Sequence, residues 1–192
     1  MIDRADFLKE FRIDEETYDT ADCEWATLEA VFQDHVERGP NLEQTGEGIA
    51  NRLRQLPAVH SLKIRVKDPR HLVEKIIRKK AEDNSRHIDL DNYREEVTDL
   101  IGVRALHLFK GDWEPIHDYI TETWDLHEEP RAYVREGDSK EIRACFERRG
   151  CDVVEHPAGY RSVHYLVECS PTKERHIAEM QVRTIFEEGW SE

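Results

Sequence analysis

The chain has 192 residues, a length that allows one sizeable hydrophobic core with a helical appendage. Its residues are 36% charged and 38% hydrophobic, and the formal net charge of −14 argues against a protein that binds nucleic acid over its whole surface. The sequence has no signal peptide and no apolar run of membrane-spanning length, which predicts a soluble, cytoplasmic protein without a membrane contact.

The first part of the chain has the apolar spacing of helices and contains no recognisable motif. We expect Gly39-Pro40 to end one helix before the next begins. The chain is therefore divided into a helical N-terminal segment, residues 1–57, and a second domain, residues 58–192. The predicted helices of the segment are residues 3–11, 14–37 and 42–56.

Strands and helices alternate from residue 58 onward. The patterns predict strands at 59–67, after Asp99, at 126–135, at 162–169 and at 176–183, and helices at 69–80, 91–97, 113–124 and 139–149. The last two strands form a hairpin. The predicted fold is α+β, with a mixed sheet of about five strands flanked by helices.

The last strand alternates polar with apolar side chains. Successive side chains of a strand point to opposite faces, so one face is expected to be polar and the other apolar. The polar face would carry Glu179, Gln181 and Arg183, and the apolar face Ala178, Met180 and Val182. A solvated edge strand is the alternative interpretation.

Three further segments place polar groups in a similar way. Lys63, Arg65 and Lys67 share one strand face, Tyr160, Ser162 and His164 share another, and Asp99 stands before an apolar run. Cations suit phosphate oxygens, carboxylates suit Mg²⁺, and an exposed tyrosine offers a stacking plane. Together these strands predict a polar cleft on the sheet.

Four motifs in this order resemble the synthetase domain of the RelA/SpoT family of alarmone synthetases. They are Arg65-x-Lys67 followed by Lys75, Asp99-Leu-Ile-Gly-Val-Arg104, Gly159-Tyr160-Arg-Ser162-Val-His164, and Glu179-x-Gln181-x-Arg183-Thr184. The resemblance covers residues 59–192 and implies a nucleotidyltransferase-like fold. It also implies Mg²⁺-dependent transfer of pyrophosphate from ATP to the ribose 3′-hydroxyl of GDP or GTP, which yields (p)ppGpp and AMP.

The resemblance assigns roles residue by residue. Asp99 and Glu179 would be catalytic and would hold the metal. An unperturbed glutamate is a weak base at neutral pH, so orienting the 3′-hydroxyl ranks above proton abstraction for Glu179. The ATP-binding residues would be Arg65, Lys67, Lys75 and Arg104, and the acceptor-binding residues Tyr160, His164 and Gln181.

Structural alternatives stay open at several of these positions. Asp99 fits a plain turn, Arg104 fits a salt bridge to a neighbouring acid, and Tyr160 fits a half-buried aromatic at a rim. His164 fits hydrogen bonding as well as general base catalysis. Arg183 fits either a nucleotide contact or a structural role.

The sequence departs from the family pattern at two positions, and the second departure leaves the acceptor open. His71 replaces a frequent serine, and Ala158 replaces an asparagine or serine before Gly159-Tyr160. One alternative is therefore a toxin-type member that pyrophosphorylates the 3′ end of tRNA or makes adenosine alarmones, although the acidic net charge weighs against tRNA. Another alternative is an inactive nucleotide-binding module, and an oligomer is compatible with the sequence.

Three remaining features have no predicted role in the reaction. His117-Asp118 spells the metal phosphohydrolase pair but follows Asp99, so we interpret it as helix surface and expect no hydrolase activity. Helix-like sequence continues to residue 192, which suggests a fragment of a longer protein. The cysteines lack metal-site spacing, which favours reduced thiols: Cys23, Cys145, Cys151 and Cys169.

Overall fold

The computed structural model describes residues 3–191, with side chains up to residue 189. Within this range the helices are α1 Arg4–Phe11, α2 Glu15–Ala21, α3 Trp25–Leu53, α4 Pro69–Glu82, α5 Tyr93–Glu96, α6 Trp113–Thr123, α7 Lys140–Arg148 and α8 Ile185–Ser191. The strands are β1 Ser61–Val66, β2 Ile101–His107, β3 Asp125–Leu126, β4 Arg131–Val134, β5 Asp152–Glu155, β6 Ser162–Cys169 and β7 His176–Thr184. The expected continuation of the chain past Glu192 lies outside the described residues.

The contacts divide the chain into two units, each built from two stretches. One comprises Met1–Leu42 with Val66–Leu100, and the other Glu43–Arg65 with Ile101–Glu192. The sequence-based division after residue 57 stays a prediction. None of the described helices combines the length and the apolar character needed to cross a bilayer.

The first unit is helical, and three of its helices begin after an aspartate cap. Asp3, Asp14 and Asp68 each accept a hydrogen bond from a backbone N–H in the first turn that follows. Pro69 occupies the first turn of α4, where its missing N–H costs nothing. The apolar faces meet in one core, which includes Phe7, Tyr18, Leu28, Val31, Leu72, Ile76, Tyr93 and Leu100.

The predicted helix over residues 14–37 is wrong, because the chain breaks into α2 and α3. Asp22 ends α2 in the left-handed region, with φ of 46°, and its N–H donates to the carbonyl of Asp19. Aspartate tolerates this conformation better than most residues. A short turn therefore replaces the helical continuation that the apolar spacing suggested.

The predicted stop at Gly39-Pro40 is also wrong, since α3 continues through Pro40 for 29 residues in all. A proline inside a helix costs roughly 3 kcal/mol, because it removes a hydrogen bond and crowds the preceding turn. Buried side chains occur on both sides of Pro40, among them Leu28, Leu42 and Leu53. Burial of this long apolar stripe offsets the local cost.

The second unit is built on a mixed sheet that confirms the α+β prediction. Its strand order is β1-β2-β7-β6-β4-β5, and β3 also pairs with β6. Parallel pairs are β2–β7 and β4–β5, while β6–β7, β4–β6 and β3–β6 are antiparallel.

The described residues form seven strands rather than about five. One reason is that the predicted strand at 126–135 is split into β3 and β4 by a segment that ends at Pro130. Proline cannot donate a hydrogen bond to a sheet ladder, so it favours such an interruption.

One face of β6 and β7 is buried as the alternation predicts. Val163, Tyr165 and Val167 lie in the core with Met180 and Val182. The Tyr165 hydroxyl accepts a hydrogen bond from Trp113 Nε1 at 2.9 Å, and His117 Nδ1 lies 3.1 Å away.

This packing corrects the interpretation of His117-Asp118 as helix surface. His117 is only 4% exposed, and burial lowers its pKa. Asp118 is exposed and pairs with Arg149.

Candidate functional site

The opposite face of the sheet in the second unit carries polar side chains in register. Arg104 on β2 pairs with Gln181 on β7, and Gln181 pairs with His164 on β6. His164 in turn pairs with Arg131 on β4. Residues paired in this way share a face, so one polar row crosses four adjacent strands.

Glu179 lies two residues before Gln181 on the same face of β7. Gln181 Nε2 donates to Glu179 Oε2 at 2.8 Å, and His164 Nδ1 lies 3.3 Å from Glu179 Oε1. The side chains of His164 and Glu179 are 17% and 19% exposed. The carboxylate is therefore fixed from two sides while it retains access to solvent.

The Arg65 side chain lies against β2 at a glycine. A Cβ atom added to Gly102 would stand 3.2 Å from Arg65 Cγ and 3.3 Å from Arg65 Nε. The absence of a side chain at this position lets Arg65 lie flat along the neighbouring strand. Arg65 and Arg104 both line a small cavity together with Glu179 and Gln181.

Tyr160 stands next to an aromatic group that sequence reasoning missed. Gly159 has φ of 67°, and this turn leads into Tyr160. The centre of the Tyr160 ring lies 3.9 Å from the centre of the His156 ring and 6.1 Å from that of Tyr133. The Tyr133 and His164 ring centres are 4.8 Å apart. Tyr160 is half-buried, and burial raises the pKa of its hydroxyl.

The alternation of β4 offered a signal for Tyr133. Ala132 and Val134 are buried and Tyr133 between them is not, which places Tyr133 on the polar face. His156 lies in the turn after β5, where no periodicity operates, so its position was not predictable from the pattern.

The segment that carries Tyr160 is anchored by a network of charged groups. Arg161 Nε donates to Asp138 Oδ2 at 2.8 Å, and the Arg161 backbone N–H donates to Glu187 Oε2 at 3.3 Å. Arg135 Nη2 donates to both oxygens of Glu187 at 2.8 Å. The hydrogen bond from Arg161 holds the pKa of Asp138 below its usual value.

Glu188 on α8 is a second acid that sequence reasoning missed. Its carboxylate accepts from Arg104 Nη1 at 2.9 Å, contacts Arg183 Nη2, and lies 3.8 Å from Lys63 Nζ. Arg104 is thus paired with an acid, which is the structural alternative left open for it. The Arg183 guanidinium is buried, and its Cζ lies 5.8 Å from the centre of the Tyr160 ring.

The first unit contains three further candidate residues, Lys67, Lys75 and Asp99, and both lysines contact the aspartate. Lys67 Nζ and Lys75 Nζ both lie 2.9 Å from Asp99 Oδ2. The backbone of Lys67 is fixed on both sides, because its N–H donates to the Leu100 carbonyl at 2.9 Å and its carbonyl lies 2.7 Å from His35 Nε2. This arrangement holds the lysine beside the carboxylate.

Asp99 stays ionised in this environment, and its carboxylate is suited to be a ligand of a metal cation. Burial opposes its ionisation, but the hydrogen bonds and charges of Lys67 and Lys75 outweigh burial and hold the pKa of Asp99 below its usual value. Both lysines use Oδ2, while Oδ1 is buried without a hydrogen-bond partner among the described residues. An orphaned carboxylate oxygen is a ligand that Mg²⁺ accepts.

The described residues contain no cluster of three or more His, Cys, Asp or Glu side chains that could hold a metal. Mg²⁺ commonly uses one or two carboxylates and completes its shell with water and substrate phosphates. Among the described residues the donors therefore fit a magnesium ion whose shell is completed by water and phosphate oxygens, and they do not form an all-protein cage.

A larger groove of about 550 Å³ lies elsewhere in the second unit, lined by Glu114, His117, Asp118, Cys145, Arg148 and Arg149. Arg149 bridges its acids, with Nη2 at 2.7 Å from Glu114 Oε2 and a second contact to Asp118. These charges neutralise one another, and we assign the groove a structural role.

Comparisons with known proteins agree with this architecture. Two structures of small alarmone synthetase 1 from Bacillus subtilis share the fold at 18% sequence identity. The structure bound to its product pppGpp has a TM-score of 0.53 and covers 82% of this chain and 72% of that chain. The other has a TM-score of 0.51 and covers 82% and 71%.

The sequence comparisons give a more specific result. No curated protein matches the chain significantly. The family model described as "Region found in RelA / SpoT proteins" matches residues 64–192, which is most of the chain. The chain therefore belongs to the family of proteins that carry the RelA/SpoT region.

Proposed function

We propose that this protein transfers the β,γ-pyrophosphate of ATP to the ribose 3′-hydroxyl of GDP or GTP. The observation that carries the proposal is the polar row of the sheet, where Glu179 is fixed by Gln181 and His164 beside Arg104. Membership of the RelA/SpoT family supports the same reaction class.

The donor would be recognised by four cationic side chains. Guanidinium planes stack well on nucleobases, and we assign Arg65 and Arg104 to the adenine of ATP. We assign Lys67 and Lys75 to the triphosphate, because ammonium groups bind phosphate oxygens as compact charges. Their present partner, Asp99, is the proposed magnesium ligand.

The acceptor would be recognised on the side of β6. Tyr160 presents a ring for the guanine base, with Tyr133 and His156 supporting it at the distances given above. His164 and Gln181 offer hydrogen bonds to the ribose and phosphates. Both also contact Glu179, so acceptor binding and carboxylate position are coupled.

The reaction needs alignment more than covalent chemistry. In the proposed step, the 3′-oxygen forms a bond to the β-phosphorus of ATP, and the bond between that phosphorus and the α,β-bridging oxygen breaks. AMP leaves with the bridging oxygen, and the proton of the 3′-hydroxyl is released to solvent. Glu179 accepts a hydrogen bond from the attacking hydroxyl and aligns it. When bound, Mg²⁺ would supply positive charge to the phosphate oxygens.

Ala158 supports a second candidate acceptor. It is exposed and provides no polar side chain beside Tyr160, and its N–H is already used by His156 Nδ1 at 3.1 Å. A member of this family with an adenosine nucleotide or a tRNA 3′ end as acceptor would fit this feature. The net charge of −14 weighs against tRNA.

An acceptor panel tests both candidates. ATP labelled in the adenosine moiety is incubated with Mg²⁺ and with GDP, GTP, AMP, bulk tRNA or no acceptor, and AMP release is measured. Release with GDP or GTP alone supports the proposal. Release with AMP or tRNA alone selects the second candidate, and nucleotide binding by calorimetry without AMP release would reduce the protein to a binding module.

A further inference from the structure

Three cationic side chains of the second unit converge on a single carboxylate. Glu188 contacts Arg104, Arg183 and Lys63, and its side chain is only 12% exposed. The Arg183 side chain is 5% exposed and that of Arg104 22%, so two of the cations have little access to water. Such a cluster has the composition of an anion-binding position.

The cavity beside this cluster is small. Its volume is about 20 Å³, and Lys63, Arg65, Gly102, Val103, Arg104, Glu179 and Gln181 line it. A space of roughly this size holds about one water molecule, whereas small-molecule sites span roughly 300–1,000 Å³. A nucleobase can enter between Arg65 and Arg104 only if one of these side chains moves.

Glu188 is the group that opposes movement of Arg104. Arg104 Nη1 lies 2.9 Å from Glu188 Oε1, and both side chains are poorly exposed. If the two groups separate, the Arg104 guanidinium therefore needs another anion as its partner. A phosphate group supplies that partner, since its oxygens accept the same N–H donors as a carboxylate. The flat face of Arg104 stays available for a base while its N–H edge binds the anion.

We propose that Lys63, Arg104 and Arg183 form a phosphate-binding position of the nucleotide site, and that Glu188 is an internal anion that competes for it. The inference rests on the proposed function and adds a subsite with its own competitor. Nucleotide entry then exchanges the Glu188 carboxylate for a phosphate group and opens the space between Arg65 and Arg104.

The test uses Glu188→Gln, which removes the competing charge and nearly preserves the shape. Binding of inorganic tripolyphosphate is measured by calorimetry in EDTA, without any acceptor. We expect affinity to rise about tenfold, a change of roughly 1.4 kcal/mol. The matched control is Glu122→Gln, which removes the same charge at an exposed position of α6 and should bind tripolyphosphate as the wild type does.

Equal or weaker binding by Glu188→Gln would overturn the inference and leave Glu188 as a structural partner of the cations. If this variant does not fold, Glu188→Asp retains the charge but withdraws it by one methylene, and binding a few-fold tighter than wild type is then expected. If folded Glu188→Asp binds tripolyphosphate no more tightly than the wild type, the proposed competition between this carboxylate and phosphate is also excluded.

The proposed function fails separately from this inference. Tighter tripolyphosphate binding in a protein that releases no AMP with any acceptor would retain the anion position and reject the transferase. AMP release by a protein whose Glu188 variants show no gain would do the reverse.

Discussion

Glu179 has the contacts expected of a group that aligns a hydroxyl. Gln181 and His164 fix its two oxygens, and its side chain remains 19% exposed. Neither of these two neighbours is an acid, so Glu179 supplies the negative charge of this trio. A substitution that removes the charge of Glu179 therefore tests its role.

Glu179→Gln should lower AMP release by at least about 10²-fold, because general acid–base and orienting groups contribute about 10²–10⁴-fold. The substitution keeps the size and a carbonyl oxygen for Gln181, so the melting temperature should change little. Steady-state AMP release measures the effect, with Glu122→Gln as the control for charge. Activity within a few-fold of wild type would remove Glu179 from the reaction.

Asp99 gives a pH-dependent prediction for stability. Its pKa is lowered in the folded protein, so its pairing with Lys67 and Lys75 stabilises the fold above the unfolded value of about 3.9 and is lost as the pH falls through the folded value. Asp99→Asn should therefore cost about 2 kcal/mol at pH 7 and progressively less below pH of about 4.

Urea unfolding of wild type and Asp99→Asn at a series of pH values measures this difference. A difference that persists undiminished at the acid end would show that Asp99 is not stabilised as an anion.

Strand alternation predicted which of these side chains share a face, and this succeeded because a sheet has a strict period of two. Glu179, Gln181 and His164 are together for that reason. Glu188 was missed because it reaches the sheet from a helix whose docking no local pattern encodes. The buried His117 was missed because its partner Tyr165 is distant in sequence.

At the scale of elements, two glycines of α3 make a matched pair. A Cβ atom on Gly46 would lie 2.8 Å from Ile64 Cγ2 and 3.3 Å from Ile101 Cγ2, whereas one on Gly48 meets nothing within 4 Å. Gly46 therefore allows the close approach of α3 to β1 and β2. Gly48 has no such role.

Gly46→Ala should destabilise the protein by about 1–3 kcal/mol through overpacking. Gly48→Ala should instead stabilise it by about 0.5–1 kcal/mol, because alanine has the higher helix propensity. Thermal unfolding of the two variants gives the sign of each change. Two shifts in the same direction would contradict the packing described for α3.

The sequence predicted most elements of the sheet and the N-terminal helices but misplaced two helix ends. Both errors arose where a strong local signal competed with burial. Pro40 disfavours a helix by its propensity. α3 nevertheless continues through it, because the apolar side chains buried on both sides of Pro40 stabilise the helix by more than the proline costs. At Asp22 the apolar spacing hid a left-handed cap.

At the scale of the whole molecule, four short motifs were sufficient to identify the family, and the α+β class followed from the alternation of strands and helices. The sequence left the acceptor open, because Ala158 departs from the family pattern beside the predicted acceptor residue Tyr160. The net charge of −14 coexists with a local concentration of arginines, which favours a small anionic ligand over a nucleic acid.

Identification of the reaction products shows whether the protein transfers pyrophosphate to a ribose 3′-hydroxyl. The protein is incubated with ATP, GDP and Mg²⁺, and the mixture is followed by ³¹P NMR with mass spectrometry of the nucleotides. We expect equal amounts of AMP and of a guanosine nucleotide with a diphosphate ester at its 3′ position. Formation of ADP with inorganic phosphate, or of AMP with free pyrophosphate and unchanged GDP, would contradict the proposed transfer.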